Sequence, residues 1–145
     1  MALPVIKIRC DGQPLPAELE VLDLEIQLEL NRIPQASLTL LDGNVAERCF
    51  EISDGALFKP GSRISIALGY EGGGPAPEQI FEGIVTRHAV SAGSEGLRLK
   101  VNLRDLAITM TRSRHSRVFA QKSDEQVMRQ LITCLLYTSP SPRDR

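Results

Sequence analysis

Tryptophan is absent from this 145-residue chain, and tyrosine and phenylalanine bring the aromatic content to only 4%. Proteins that bind single-stranded nucleic acid by base stacking need aromatic platforms, so this scarcity argues against that class. With 17 lysine and arginine residues against 18 aspartate and glutamate residues, the formal net charge is −1. Long-range attraction to nucleic acid or to an anionic membrane is therefore not expected. The core must consist mainly of leucine, isoleucine and valine.

Cysteine is also scarce, since Cys10, Cys49 and Cys134 are far apart and odd in number. They form neither a metal-binding motif nor a disulfide framework. No apolar run approaches the roughly 18–20 residues needed to span a bilayer. Residues 1–8 lack the basic start and apolar stretch of a secretory signal peptide. We therefore expect synthesis in a reducing cytoplasm.

The sequence contains no motif typical of a catalytic, metal-binding or phosphate-binding site. His88 and His115 have no second histidine, cysteine or carboxylate at a metal-like spacing. The glycine run at residues 72–74 is not followed by the lysine-serine or lysine-threonine pair of a phosphate-binding loop. We expect no catalytic residues, no metal and no cofactor, and predict that the chain is not an enzyme. Cys10 alternates with Ile6 and Ile8, which predicts a small buried apolar residue.

Alternation of apolar and polar residues is the dominant pattern. It is strict at residues 22–30, and recurs at 6–10, 36–40, 64–68, 80–90 and 97–104. A period of two predicts strands with one buried face. Gly83 interrupts the pattern of 80–90, where we predict a bulge or bend. Turn signals occur at residues 11–12, 42–43, 59–61, 72–75 and 92–93. The sequence therefore predicts a mainly β fold, an antiparallel β-barrel of about six strands with a short C-terminal helix.

The solvent faces of two predicted strands carry opposite charge. Strand 22–30 is acidic outside, through Asp23, Glu25 and Glu29, and strand 97–104 is basic outside. If these strands are neighbours, each cross-strand charge pair would contribute about 0.2–1 kcal/mol and help to fix the register.

The pattern changes after Asp105. Ser123 is a predicted helix N-cap, with Asp124 and Glu125 in the first turn. We predict a barrel domain at 1–110, a basic connector with the start of a truncated second unit at 111–133, and a non-native tail at 134–145. The tail resembles a translated sequencing adapter, so we expect the natural protein to be longer. The connector supplies the candidate assembly contacts Arg112, Arg114 and Arg117.

Ordered strings of residues resemble the VgrG family, the spike (tip) proteins of type VI secretion systems. They begin with Glu-Leu-Asn-Arg-Ile-Pro-Gln-Ala at 29–36 and continue at 40–43, 50–53, 58–61, 66–70, 80–85 and 114–117. The resemblance implies an N-terminal domain like a phage tail hub, in which three chains form a ring that caps a tube of hexameric rings. It further implies a homotrimer that contacts the tube protein and the baseplate. Tip proteins and effectors would bind through regions outside this chain, after assembly in the bacterial cytoplasm and export by the apparatus.

Two other hypotheses remain at this point. A small β-barrel could bind single-stranded nucleic acid or an oligosaccharide, because about six strands and a basic connector permit it. The low aromatic content and the net charge stand against this alternative. An enzyme is the third hypothesis, and no cluster of acid, base and nucleophile in the sequence supports it.

Overall fold

A computed structural model describes residues 3–16, 19–42, 52, 57–71, 76–93 and 96–136. The chain divides into two compact units, Met1–Asp105 and Leu106–Arg145. The first contains all the strands described, and the second contains a 3₁₀ helix, Leu106–Thr111, and helix α1, Asp124–Leu136. The predicted mainly β fold with a short C-terminal helix is confirmed. The segment boundaries at residues 110 and 133 stay predictions.

Seven strands form one antiparallel sheet. In chain order they are β1 (Pro4–Cys10), β2 (Gln13–Pro14), β3 (Val21–Gln27), β4 (Gln35–Asp42), β5 (Arg63–Tyr70), β6 (Glu78–Gly93) and β7 (Gly96–Asp105). Their order in the sheet is β2-β1-β5-β6-β7-β4-β3. All six predicted strands are present, and β2 is an additional strand of two residues.

The sheet does not close into the predicted barrel. Among the described residues, no strand pairing joins β2 or β1 to β3 at the other end of the sheet. Proline has no backbone N–H to donate to a neighbouring strand. Pro14 ends β2 and Pro16 follows it, so this edge lacks two of the N–H donors that a further ladder would use.

The core lies on one face of the sheet. Strand β4 shows the pattern most clearly, since Ala36, Leu38, Leu40 and Asp42 are buried while the intervening side chains are partly exposed. Strand β7 contributes Leu99, Val101 and Leu103, each at most 1% exposed. The main cluster comprises Ile8, Cys10, Ala36, Leu38, Leu40, Ile52, Phe58, Ile64, Ile66, Phe81, Val85, Leu99, Val101 and Leu103. As predicted, aliphatic residues dominate it.

Strand β3 departs from the predicted alternation. It ends at Gln27, so Leu28 and Leu30 follow the strand and are 64% and 95% exposed. An irregularity in its pairing with β4 falls between Val21 and Asp23, and Leu22 is 42% exposed. The chain then turns through Asn31, which has a φ of 60°.

The acidic and basic strands are not neighbours, so the condition for cross-strand charge pairs between them is not met. Strand β4 lies between β3 and β7 and is paired with both. Two strand spacings of about 4.8 Å separate the acidic from the basic strand by roughly 9–10 Å. Alternation specifies which face of a strand is buried, but it does not specify the neighbouring strand.

Gly83 is not a bulge. It is in register with Ile64 of β5 on one side and with Asp105 of β7 on the other. A Cβ at this position would lie 2.2 Å from the backbone oxygen of Arg104, so glycine permits a close backbone approach. The register shift between β6 and β7 instead falls between Val85 and Arg87.

Two of the predicted turns are confirmed. Asp11 and Gly12 join β1 to β2 with φ values of 49° and 83°. Positive φ at both central residues is the requirement of a tight two-residue hairpin. Ser62 N donates to Lys59 O at 2.9 Å across the turn that contains Gly61.

The other three predicted turns have different outcomes. Ala92 and Gly93 are the last residues of β6, and Gly93 pairs with Gly96 of β7, so the chain reverses directly after the predicted position. Gly43, residues 72–75, Cys49 and the tail from residue 137 lie outside the described residues.

Helix α1 begins as predicted. Gln126 N donates to Ser123 Oγ at 3.4 Å, and Ser123 N donates to Gln126 Oε1 at 3.2 Å. This reciprocal pair is a capping box. Of the apolar residues along the helix, Val127 is half-buried, whereas Met128, Leu131 and Ile132 are exposed.

Candidate functional site

The predicted assembly contacts lie in an exposed stretch without regular secondary structure. Arg112, Arg114 and Arg117 are all exposed, between the 3₁₀ helix and α1. Arg112 N donates to Thr109 O at 3.3 Å, and Ser113 Oγ lies 2.6 Å from His115 Nε2. The three arginines are thus presented to solvent, and their role in assembly stays a prediction.

His88 has a structural contact. Its Nδ1 lies 3.2 Å from the backbone oxygen of Phe58, and a carbonyl oxygen can only accept, so Nδ1 is the donor. Phe58 is fully buried and has a φ of 58°, an uncommon conformation for a bulky residue. The histidine therefore ties β6 to the turn that carries Phe58. In the part of the chain that the structure describes, no group of three His, Cys, Asp or Glu residues could hold a metal ion.

Cys10 is buried, as predicted, with 4% of its surface exposed. Burial raises the pKa of the Cys10 thiol, and the neighbouring Asp11 carboxylate raises it further. The thiolate is the nucleophilic form, so a buried thiol with a raised pKa is poorly suited to catalysis.

A polar groove of about 430 Å³ lies on the outer face of the sheet, across β3, β4, β7 and β6. One wall is formed by Glu25, Gln27 and Gln35 of β3 and β4. The residues that line the other wall and the floor are Ser37, Thr86, Arg87, Lys100, Asn102 and Arg104, together with Ala36 and Leu103. We call this feature the outer groove.

The two walls of the outer groove differ in their bonding. On the β3 side, Gln35 donates to Gln27, and Gln27 Nε2 donates to Glu25 Oε1 at 2.6 Å. The ion pairs found among the described residues are Arg32–Glu29, Arg63–Glu82 and Arg129–Glu125. None of these ion pairs includes Arg87, Lys100 or Arg104, which are the three cations of the opposite wall. We call this side of the outer groove its basic wall.

The bulge in β6 determines which face Arg87 occupies. Phe81, Gly83 and Val85 are buried, and continued alternation would turn Arg87 inward as well. Because Thr86 is the extra residue, Arg87 instead pairs in register with Asn102 and is exposed. Thr86 Oγ1 donates to Asn102 O at 3.1 Å. β-Bulges commonly re-aim a side chain in this way.

The sequence predicts part of the outer groove but not which strands come together to form it. The alternating cations of 97–104 were visible as a basic strand face. The contribution of Arg87 was not visible, because it depends on the position of the bulge. The neighbours of β7 could not be read from its own residues.

Apolar surface is exposed as well. A depression of about 420 Å³ is lined by apolar residues of strands β1, β3, β5 and β6. They are Ile6, Leu22, Leu24, Ile26, Leu68 and Ile80. Of the helices in the described residues, none has the length and apolar character required to cross a membrane.

Comparison with solved structures supports a phage-tail-like fold. The chain superimposes on the crystal structure of the prophage MuSo2 43 kDa tail protein from Shewanella oneidensis with a TM-score of 0.60. The match covers 92% of this chain at 12% sequence identity, so it concerns the fold alone. This chain spans 38% of the length of that tail protein. No curated protein matches the chain.

The family comparison covers most of the sequence. Residues 1–136 match the family model described as the Alg8 N-terminal domain. This range includes every strand described and helix α1. The chain belongs to the family of the Alg8 N-terminal domain.

Proposed function

We propose that this chain is a non-catalytic structural subunit of a contractile injection machine, a hub domain of a VgrG-like type VI secretion spike. In this role three copies form a ring that caps the tube of hexameric rings and contacts the baseplate. The observation that carries the proposal is the fold shared with a phage tail protein over 92% of the chain. The ordered strings that resemble the VgrG family make the proposal more specific than tail-like architecture.

Surface properties of the chain are compatible with such a role. Apolar side chains are exposed in the depression between the sheet ends, and the exposed connector presents Arg112, Arg114 and Arg117. Assembly through these surfaces would use aliphatic and charged contacts, because the chain has few of the aromatic anchors that dominate many interfaces.

Sedimentation equilibrium tests the proposal directly. A trimer would have about three times the 16.0 kDa mass of the chain. Reversing two connector charges, as Arg114→Glu with Arg117→Glu, is expected to shift the equilibrium toward monomer by at least about tenfold. The matched control reverses Lys7 and Arg9, which are exposed on β1, and is expected to leave the trimer intact.

One outcome would contradict the hub proposal, and another would contradict only the assignment of the contacts. A chain that stays monomeric at the highest soluble concentration would argue against a hub that assembles through this domain. A trimer that is unaffected by the connector variant would retain the hub and exclude these arginines as contacts.

The alternative is a binding module for single-stranded nucleic acid or an oligosaccharide. Fluorescence anisotropy with a single-stranded DNA separates it from the hub, since tight and salt-sensitive binding would favour the module. The residues that line the outer groove include no aromatic side chain on which a base could stack. This composition favours the structural role.

A further inference from the structure

Three cations without partners gather in the outer groove. In the described part of the chain, the side chains of Arg87, Lys100 and Arg104 make no ion pair and no hydrogen bond to another side chain. All three are exposed. Each is therefore available to a ligand that approaches the outer face of the sheet.

The strand register sets the spacing of these cations. Lys100 and Arg104 lie on the same face of β7, on either side of Asn102. Arg87 is opposite Asn102, so the two β7 cations are its diagonal neighbours, at about 7–8 Å between Cα atoms. Like charges that are neighbours on one face of a sheet repel one another. An anion bound among them would relieve this repulsion.

The acidic wall does not neutralise the cations. Glu25 accepts its hydrogen bond from Gln27 on its own strand, and Gln27 in turn accepts one from Gln35. Glu25 is in register with Ser37, which is in register with Asn102, so β4 separates this carboxylate from the cations of β7, and both β4 and β7 separate it from Arg87. The groove thus has a basic wall open to ligands and an acidic wall whose polar groups bond one another.

The spacing of the cations fits carboxylates on an extended polypeptide. Side chains at alternate positions of a strand lie on one face, about 6.6–6.8 Å apart, which is close to the diagonal spacing of the three cations. A nucleic acid fits less well, because the lining residues offer no aromatic platform on which a base could stack. A strand or loop with acidic residues at alternate positions meets both requirements.

We propose that the outer groove is a docking surface for an extended acidic segment of a partner protein. Arg87, Lys100 and Arg104 bind the carboxylates of that segment. The bulge at Thr86 is the device that adds the third cation, since it places Arg87 on the outer face. The inference is independent of the proposed hub role, because it rests on the groove alone.

Fluorescence anisotropy with a defined peptide tests the docking surface. The probe is a fluorescein-labelled peptide of about nine residues that alternates glutamate with threonine, matched to the strand spacing. At a low salt concentration of about 50 mM we expect saturable binding, and at about 300 mM we expect it to weaken strongly. A peptide of the same length that alternates glutamine with threonine should not bind.

Two triple variants of equal charge change isolate the groove. The variant Arg87→Gln, Lys100→Gln, Arg104→Gln should weaken binding of the acidic peptide by at least about tenfold. The control Arg112→Gln, Arg114→Gln, Arg117→Gln removes the same charge from the connector and should change the affinity by less than about twofold. Circular dichroism establishes that both variants are folded. If the groove variant is unfolded, Arg87→Gln alone is used, and it should weaken binding about threefold.

Several results would overturn the docking surface. These are the absence of binding at low salt, an equal loss of affinity in both triple variants, and unchanged binding by the groove variant. Tighter binding of a nine-nucleotide oligothymidine than of the peptide, lost in the same groove variant, would replace the acidic polypeptide with a nucleic acid.

Discussion

Asp42 is the buried charged residue among the described residues, and it is fully enclosed. It is the last residue of β4 and points to the core side of the sheet. Its Oδ1 accepts a hydrogen bond from the backbone N of Ile52 at 3.1 Å. The burial of this polar side chain is tolerated because it accepts a hydrogen bond from a backbone donor that is itself buried. Asp42 thus connects Ile52 to the end of β4.

Replacing Asp42 by alanine should destabilise the protein by about 1–3 kcal/mol, because the buried N–H of Ile52 loses its acceptor. Urea unfolding followed by circular dichroism measures this difference. The control Asp23→Ala removes an exposed carboxylate from β3 and should change stability by less than about 0.5 kcal/mol. Equal unfolding midpoints for the two variants would show that the hydrogen bond from Ile52 to Asp42 does not stabilise the fold.

The reactivity of the Cys10 thiol depends on its burial as well as on pH. Because burial raises the pKa of its thiol, the protonated form persists to higher pH in the folded chain than in the unfolded chain. This difference stabilises the fold below the ordinary cysteine pKa, and the contribution is lost as the pH rises through the raised value. Iodoacetamide labelling between about pH 7 and 10, read by peptide mass spectrometry, should modify exposed Cys134 well before Cys10. Labelling of both cysteines at the same rate in the native protein would contradict the burial of Cys10.

At the scale of the elements, Gly83 fixes how closely β6 and β7 approach. An alanine Cβ there would lie 2.2 Å from the Arg104 oxygen, which is backbone and cannot rotate away. Gly83→Ala should therefore destabilise the sheet by about 1–3 kcal/mol through overpacking. Gly93→Ala is the matched control, because the nearest atom to its added Cβ is 3.9 Å away. Thermal unfolding of both variants distinguishes them, and a tolerated alanine at Gly83 would mean that the strands can separate.

The existence of the strands was predictable, and their partners were not. Alternation at residues 36–40 and 97–104 reports which side chains are buried, a property local to each strand. The pairing of β4 with β7 depends on contacts between residues far apart in sequence, such as Ala36 with Leu103. Glycine in a strand has two meanings, a bulge or a close approach, and the sequence offered no way to choose between them at Gly83. The bulge fell at Thr86, a residue type with no such signal.

At the scale of the whole molecule, the same limitation explains the error about the barrel. Strand count and turn spacing are compatible with an open or a closed sheet, because closure depends on whether the end strands pair. The helix was predicted correctly because its signals are local, namely the Ser123 cap, the acidic first turn and apolar residues at helical spacing. The outer groove was missed because its walls come from four strands that are scattered along the chain.

The division into two units predicts where a protease cuts first. Trypsin needs an exposed and extensible backbone, and residues 112–118 are exposed, lack regular structure and contain Arg112, Arg114 and Arg117. Brief digestion should therefore accumulate fragments that begin at residue 1 and end at one of these arginines, identified by intact mass. Arg98 and Lys100 are also exposed, but their backbone is paired on both sides within the sheet, so they should resist until the protein unfolds. The heat-unfolded chain, cut at all these sites, is the control. Early cleavage within β7 would show that the sheet is not the stable unit of this molecule.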